Sequence, residues 1–261
     1  MLPARDQSKF LGDRAALEAE VERIVMAAEA GGLTVRALGS IGVAMHCPDA
    51  ATLLPSFGRT YADIDLAAYR REARDLVTVL RQLGYLESRD VFINSEGSRS
   101  ILDDPRRQIH LDVFYDRLEF CHVIPLDGRL AADRPTIPLT ELLMSKLQIV
   151  KINEKDVVDA ILLLLDHDLA AGDSGVIDGD RIAAVCAADW GWWRTLTMNL
   201  DKLVSLASTY AQLDQPQRAR VLASTSALRA RIAAEPKTLA WRMRARIGER
   251  RQWWTDVDEV T

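Results

Sequence analysis

Apolar residues in RAALEAEVERIVMAAEA recur at helical spacing, with Leu17, Val21, Ile24, Val25 and Ala28 on one face. The pattern predicts a helix capped by Asp13 and ended near Ala30 by Gly31-Gly32. LTVRALGS reads as a strand that stops at Gly39-Ser40, and IGVAMHC as the start of a helix. CPDAATLLPSFG (47–58) carries two prolines and a glycine and reads as a loop. YADIDLAAY reads as a strand. RREARDLVTVLRQLG reads as a helix with Leu76, Val79, Leu80 and Leu83 at core spacing and Gly84 at its end. VFINSEG, SRSILDD, RQIHLDVFY and FCHVIPL read as short strands separated by turn residues.

The pattern changes after Thr136. Pro138 precedes a helix, LTELLMSKLQIV, and Asn153 caps a second, NEKDVVDAILLLLDHDL. From Asp178 to about Arg250 the periodicity is helical, with breaks near Gly191, Pro216 and Pro236. The fold class is therefore α+β: an α/β domain over residues 1–137, then a helical domain over 138–261.

The strand YADIDLAAY carries two acids on one face. Residues i and i+2 of a strand point the same way, so Asp63 and Asp65 project together while Ile64 and Leu66 face the opposite side. At roughly 6 Å and an effective dielectric near 20, two such charges repel by about 3 kcal/mol. A solvated edge face explains them, and so does a hard divalent cation such as Mg²⁺, held by carboxylates and substrate phosphates. RQIHLDVFY adds a lone acid: Asp112 shares a face with His110 and Phe114, opposite Ile109, Leu111 and Val113. A third carboxylate from a neighbouring strand completes a two-metal site. His110 reads as a packed neighbour of that site rather than a ligand. Gly39-Ser40 lies where a strand meets a helix. A glycine there lets backbone approach a phosphate, although Ser40 also suits a simple helix cap.

Together LGSIGV (38–43), ADIDLA (62–67) and HLDVF (110–114) resemble the DNA polymerase β-like nucleotidyltransferase superfamily. The resemblance spans about residues 15–165 and is nearest to uncharacterised bacterial members and abortive-infection type toxins. It implies a small mixed β-sheet with flanking helices, followed by helices. It also implies an enzyme that moves an NMP from an NTP, ATP among the candidates, to an acceptor hydroxyl on RNA, protein or a small molecule. Asp63, Asp65 and Asp112 would be the catalytic metal ligands for two Mg²⁺ ions, with Mn²⁺ as a substitute. Gly39, Ser40, Arg59, Lys146 and Asp159 would contact the nucleotide. An antitoxin partner is implied by the toxin-like members. The interval from Gly39 to Asp63 is 24 residues, longer than usual in the group, and Tyr61 stands where a small hydroxyl residue is common. Simpler structural roles stand beside these. Lys146 fits a solvent-facing position, Asp156 fits a capping box with Asn153, and Asp159 fits an ion pair with Lys155 four residues earlier. The rival to an enzyme is a non-catalytic nucleotide- or RNA-binding regulatory protein on the same fold. A third reading is an antibiotic-modifying transferase.

Composition narrows the setting. The chain has 261 residues, is 48% hydrophobic and 27% charged, and its longest aliphatic run, AILLLL, is far short of a membrane span. The N-terminus lacks the apolar stretch of a secretory signal. Three separated cysteines, Cys47, Cys121 and Cys186, argue against a disulfide framework, so a cytoplasmic location is expected. His46-Cys47 and Cys121-His122 lack the spacing of a zinc site. Net charge is −5, yet residues 215–251 carry ten Arg or Lys and two acids. Within that region begins WRMRARIGERRQWW (241–254), with five arginines and three tryptophans. It suits an RNA acceptor, or a final helix with Arg242, Arg246 and Arg250 as a solvated stripe and the tryptophans packed on the body. DWGWW (189–193) reads as a core anchor.

Overall fold

The computed structural model describes residues 14–58, 61, 63–88, 92–93 and 95–256. Asp13 and Arg59 lie outside the described residues. The order is α1 (Arg14–Ala30), β1 (Val35–Leu38), α2 (Gly39–His46), β2 (Asp63–Ala68), α3 (Ala73–Gln82), β3 (Leu86–Ser88), β4 (Arg99–Asp104) and β5 (Ile109–Tyr115). A hairpin of β6 (Arg117–Glu119) and β7 (Val123–Pro125) follows. Then come α4 (Leu139–Leu147), α5 (Glu154–Asp166), a short pair β8 (Leu169–Ala170) and β9 (Ile177–Asp178), α6 (Gly179–Ala188), α7 (Trp190–Thr209), α8 (Gln215–Ala234) and α9 (Leu239–Ile247).

Five strands form a mixed sheet in the order β1-β2-β5-β4-β3, in which the β2–β5 pair is parallel and its other pairs antiparallel. Alternation divides its faces. Ile64, Leu66, Leu111, Val113 and Leu102 are fully buried on one side, where α1 and α3 pack. Asp65 and Asp112 stand opposite each other on the other side. Beyond β1, the stretch before α4 runs alongside the sheet: Ala37 N–H donates to the Pro135 carbonyl and Ile137 N–H to the Ala37 carbonyl. That tether brings α4 and α5 against α2. The buried apolar cluster continues through both sides of residue 137, from Leu17 to Ile232.

Two expected elements differ. Residues 50–57 are not a loop but a 3₁₀ helix, Ala50–Phe57, because Ala51 and Leu54, three residues apart, share its buried side. Gly58, at φ 63°, ends it. VFINSEG forms no strand among its described residues. Phe92 and Ile93 are helical and 95–97 form a turn, with Glu96 and Gly97 at φ 52° and 74°. The outer strand is instead Leu86–Ser88, just after Gly84. The break near Gly191 falls at Asp189, whose carboxylate accepts the backbone N–H groups of Gly191 and Trp192 and so starts α7. Pro216 sits in the first turn of α8, where no N–H is needed. No helix among the described residues is long and apolar enough to cross a membrane.

Polar networks tie the layers together. Glu20 on α1 is buried and accepts from Arg23, Arg107 and the Tyr85 hydroxyl, the last at 2.6 Å. Burial raises the proton affinity of Glu20, but bonds from Arg23 and Tyr85 outweigh it and hold the carboxyl below its ordinary range. A group lowered in this way stabilises the fold above the ordinary carboxylate range and loses that contribution as pH falls through its folded value. Glu20→Gln is expected to cost about 1–3 kcal/mol at pH 7. In thermal melts from pH 7 to 3, the gap from the wild type should narrow steadily on the acid side.

Candidate functional site

The central feature is at the β1–α2 turn. Gly39 adopts φ 66°, a left-handed backbone that favours glycine. A Cβ there would lie 1.9 Å from Oδ2 of Asp65. The Asp65 carboxylate is thus packed directly on the first residue of α2. That helix has no side-chain cap at its N-terminus, where backbone N–H groups and the helix dipole favour negative charge.

Across the sheet, Asp65 stands opposite Leu38 on β1 and Asp112 on β5, while Asp63 stands opposite His110. Asp63 is exposed and Asp65 half-buried. Burial, and then the neighbouring Asp112 charge, push the Asp65 carboxyl up to about 6, with Lys146 opposing the shift. Asp112 is buried and held by Arg99, whose Nε donates to Oδ1 at 2.6 Å and whose Nη2 donates to Oδ2. Nδ1 of His110 lies 2.9 Å from Oδ1 of Asp103.

Lys146 is buried, not solvent-facing. Its ammonium pairs with Asp159 at 2.9 Å and Asp156 at 3.2 Å. Burial alone would lower its proton affinity, but the Asp159 and Asp156 carboxylates raise it above the ordinary lysine range. The expected Asp159–Lys155 pair is replaced by Asp159–Lys146, because Asp159 faces inward at 1% exposure. Oγ of Ser40 donates to the same Asp159 carboxylate at 3.1 Å, so Ser40 joins α2 to α5 rather than capping α2. Asn153 does cap α5 through the Asp156 backbone N–H, while the Asp156 side chain receives Lys146.

Gly39, Ser40, Asp65, Asp112, Lys146 and Asp159 are therefore linked around one end of the sheet and the start of α2, with Asp63 at the exposed edge. Arg59 lies outside the described residues. Among the described residues no three His, Cys, Asp or Glu side chains are gathered closely enough to hold a metal ion as they stand. The donor chemistry nonetheless suits a hard cation: hard oxygen ligands on adjacent strands, one of them with raised proton affinity through burial and like charge. Asp112 is turned into its bidentate contact with Arg99, and Arg99 was not evident from sequence. Its partner lies 13 residues away in a β4–β5 register that no local spacing encodes.

The C-terminal segment packs largely as the structural reading expects. Trp190 and Trp192 are buried, Trp241 lies edge-on to Trp193 at 5.2 Å, and Trp253 lies edge-on to Trp190 at 5.7 Å. Arg244 stacks over Trp190 at 4.6 Å. Arg218, Arg220, Arg229 and Arg231 bond backbone carbonyls of the body and Lys237 bonds the Ile232 and Glu235 carbonyls at the end of α8, whereas Arg242, Arg246 and Arg250 are exposed. A cavity of about 720 Å³ beside Trp192, Trp253 and Trp254 contains none of the carboxylate-site residues. No protein-family model matches the chain, and no curated protein matches it.

Gly39→Ala is expected to destabilise the protein by more than the roughly 1–2 kcal/mol of a left-handed alanine, because the new methyl meets Asp65. Adding Asp65→Ala removes the carboxylate and should recover most of the excess, leaving the backbone cost and a close approach of 3.1 Å to the Cβ of residue 65. A double-mutant cycle by denaturant unfolding checks this, and additive losses would show that the two residues are not in contact.

Proposed function

We propose that the protein is a Mg²⁺-dependent nucleotidyltransferase that moves an NMP from an NTP to an acceptor hydroxyl. The observation that carries this reading is the Asp65 carboxylate packed on Gly39 at the start of α2, with Asp112 beside it across β2–β5. In this reading Asp63 and Asp65 would hold both ions and Asp112 one of them. The bound ions would supply charge neutralisation at the α-phosphate and the leaving pyrophosphate, and activation of the acceptor hydroxyl. The protein's own part is positioning. Gly39 is buried against Asp65 and carries no side chain that would stand between a phosphate and the α2 N-terminus. Lys146, fixed by Asp156 and Asp159, adds positive charge behind the carboxylates. In this reading Asp112 would accept the hydroxyl proton once Arg99 releases it.

The C-terminal arginines that remain exposed, Arg242, Arg246 and Arg250, favour an RNA acceptor over a small drug-like one. A toxin-like role with an antitoxin partner rests on the sequence resemblance alone. The second reading, a non-catalytic nucleotide- or RNA-binding regulator, is favoured by one contact, the Arg99 pair that occupies Asp112.

Incubation with each α-labelled NTP, Mg²⁺ and total RNA separates the two. Transfer of label is expected, with loss of about a thousandfold or more in Asp63→Asn and Asp65→Asn. Both variants should keep the wild-type circular dichroism spectrum. Full activity in either would overturn the assignment, and nucleotide binding without transfer would favour the regulator.

A further inference from the structure

We propose that Arg99 is a latch on the metal face: it holds Asp112 closed against a divalent cation until cation and nucleotide arrive together. This rests on the reading of Asp63, Asp65 and Asp112 as metal ligands. Arg99 lies two residues before Ile101, the residue opposite Asp112 on β4, so its side chain projects from the same face of the sheet. The guanidinium forks onto both oxygens of Asp112, the strongest geometry available to an arginine–carboxylate pair. The Asp112 side chain is 9% exposed, so little water competes for it. Arg99 also leans over the Phe114 ring, 5.3 Å from its centroid, which fixes the guanidinium in place.

The neighbouring carboxylate is treated differently. No arginine or lysine side chain bonds Asp65 among the described residues, whereas Asp112 has a full counter-charge in Arg99. A cation approaching Asp112 therefore meets a fixed positive charge and oxygens already engaged. The triphosphate of a nucleotide changes that balance, because its oxygens offer the guanidinium another bidentate anion. Binding of cation and nucleotide should then be coupled through Arg99: each is weak alone and strong with the other. Arg99 acts here through Asp112 and is a positioning residue.

The test is Mn²⁺ titration of the full chain by electron paramagnetic resonance, with and without a non-hydrolysable ATP analogue. Wild type, Asp65→Asn, Arg99→Gln, Arg99→Lys and the Arg99→Gln/Asp112→Asn double variant are compared. Arg99→Gln is expected to bind Mn²⁺ at least tenfold more tightly than wild type without nucleotide and to gain less from the analogue. The double variant should lose that gain. Arg99→Lys, which keeps the charge but not the fork, should fall between. Unchanged or weaker binding in Arg99→Gln, with wild-type binding that Asp65→Asn abolishes, would overturn the latch and leave the metal face standing. Absence of Mn²⁺ binding in folded wild type and folded Arg99→Gln, with or without the analogue, would overturn both. Should Arg99→Gln fail to fold, Arg99→Lys decides: tighter binding supports the latch, and unchanged or weaker binding overturns it.

Discussion

The contact between the Asp65 carboxylate and Gly39 is the constraint on which the site depends. It requires a residue without a Cβ at the β1–α2 turn and a left-handed backbone there. It also requires antiparallel pairing that sets Leu38 opposite Asp65, and parallel pairing that sets Asp112 on the other side. A shift of one residue in either pairing would carry the acids to the buried apolar face, among Ile64, Leu66, Leu111 and Val113. Hydrophobic burial on that face therefore fixes the polar geometry on the other. The Pro135–Ile137 tether beside β1 does the same for the helices, bringing Lys146 and Asp159 to Ser40.

Charge is settled differently here than elsewhere in the molecule. Glu141 is fully buried and receives two arginines, Arg129 and Arg181; Glu20 likewise receives Arg23 and Arg107. Those carboxylates are counterbalanced and serve to join elements. Asp65 has no bonded cationic side chain among the described residues and lies beside another acid. The fold gives its buried acids bonded cations and leaves half-buried Asp65 without one among the described residues. Such a deficit is what a bound cation would complete.

Much of this was legible in the sequence because it depends on short periods. Alternation in ADIDLA and HLDVF gives the two faces directly, and helical spacing gives α1, α3 and α5. The glycine at 39 was readable as a close-approach position, although its neighbour across the sheet was not. What escaped was non-local. The Arg99–Asp112 pair spans β4 and β5, and the Glu141 cluster joins Arg129 to Arg181 across 52 residues. Helical spacing puts Lys155 one turn from Asp159, yet burial turns Asp159 towards Lys146 on another helix. The 3₁₀ helix at Ala50–Phe57 is hidden by Pro55 within it and Pro48 just before it, which suggest irregular chain even where Ala51 and Leu54 pack inward.

The most direct measurement is anomalous diffraction from crystals grown with Mn²⁺ and a non-hydrolysable NTP analogue. The expected result is Mn²⁺ density within bonding distance of Asp63 and Asp65, with the triphosphate against the start of α2 at Gly39. Mn²⁺ and nucleotide bound elsewhere, with Asp63 and Asp65 making no contact to either, would contradict the assignment of this face as the catalytic site.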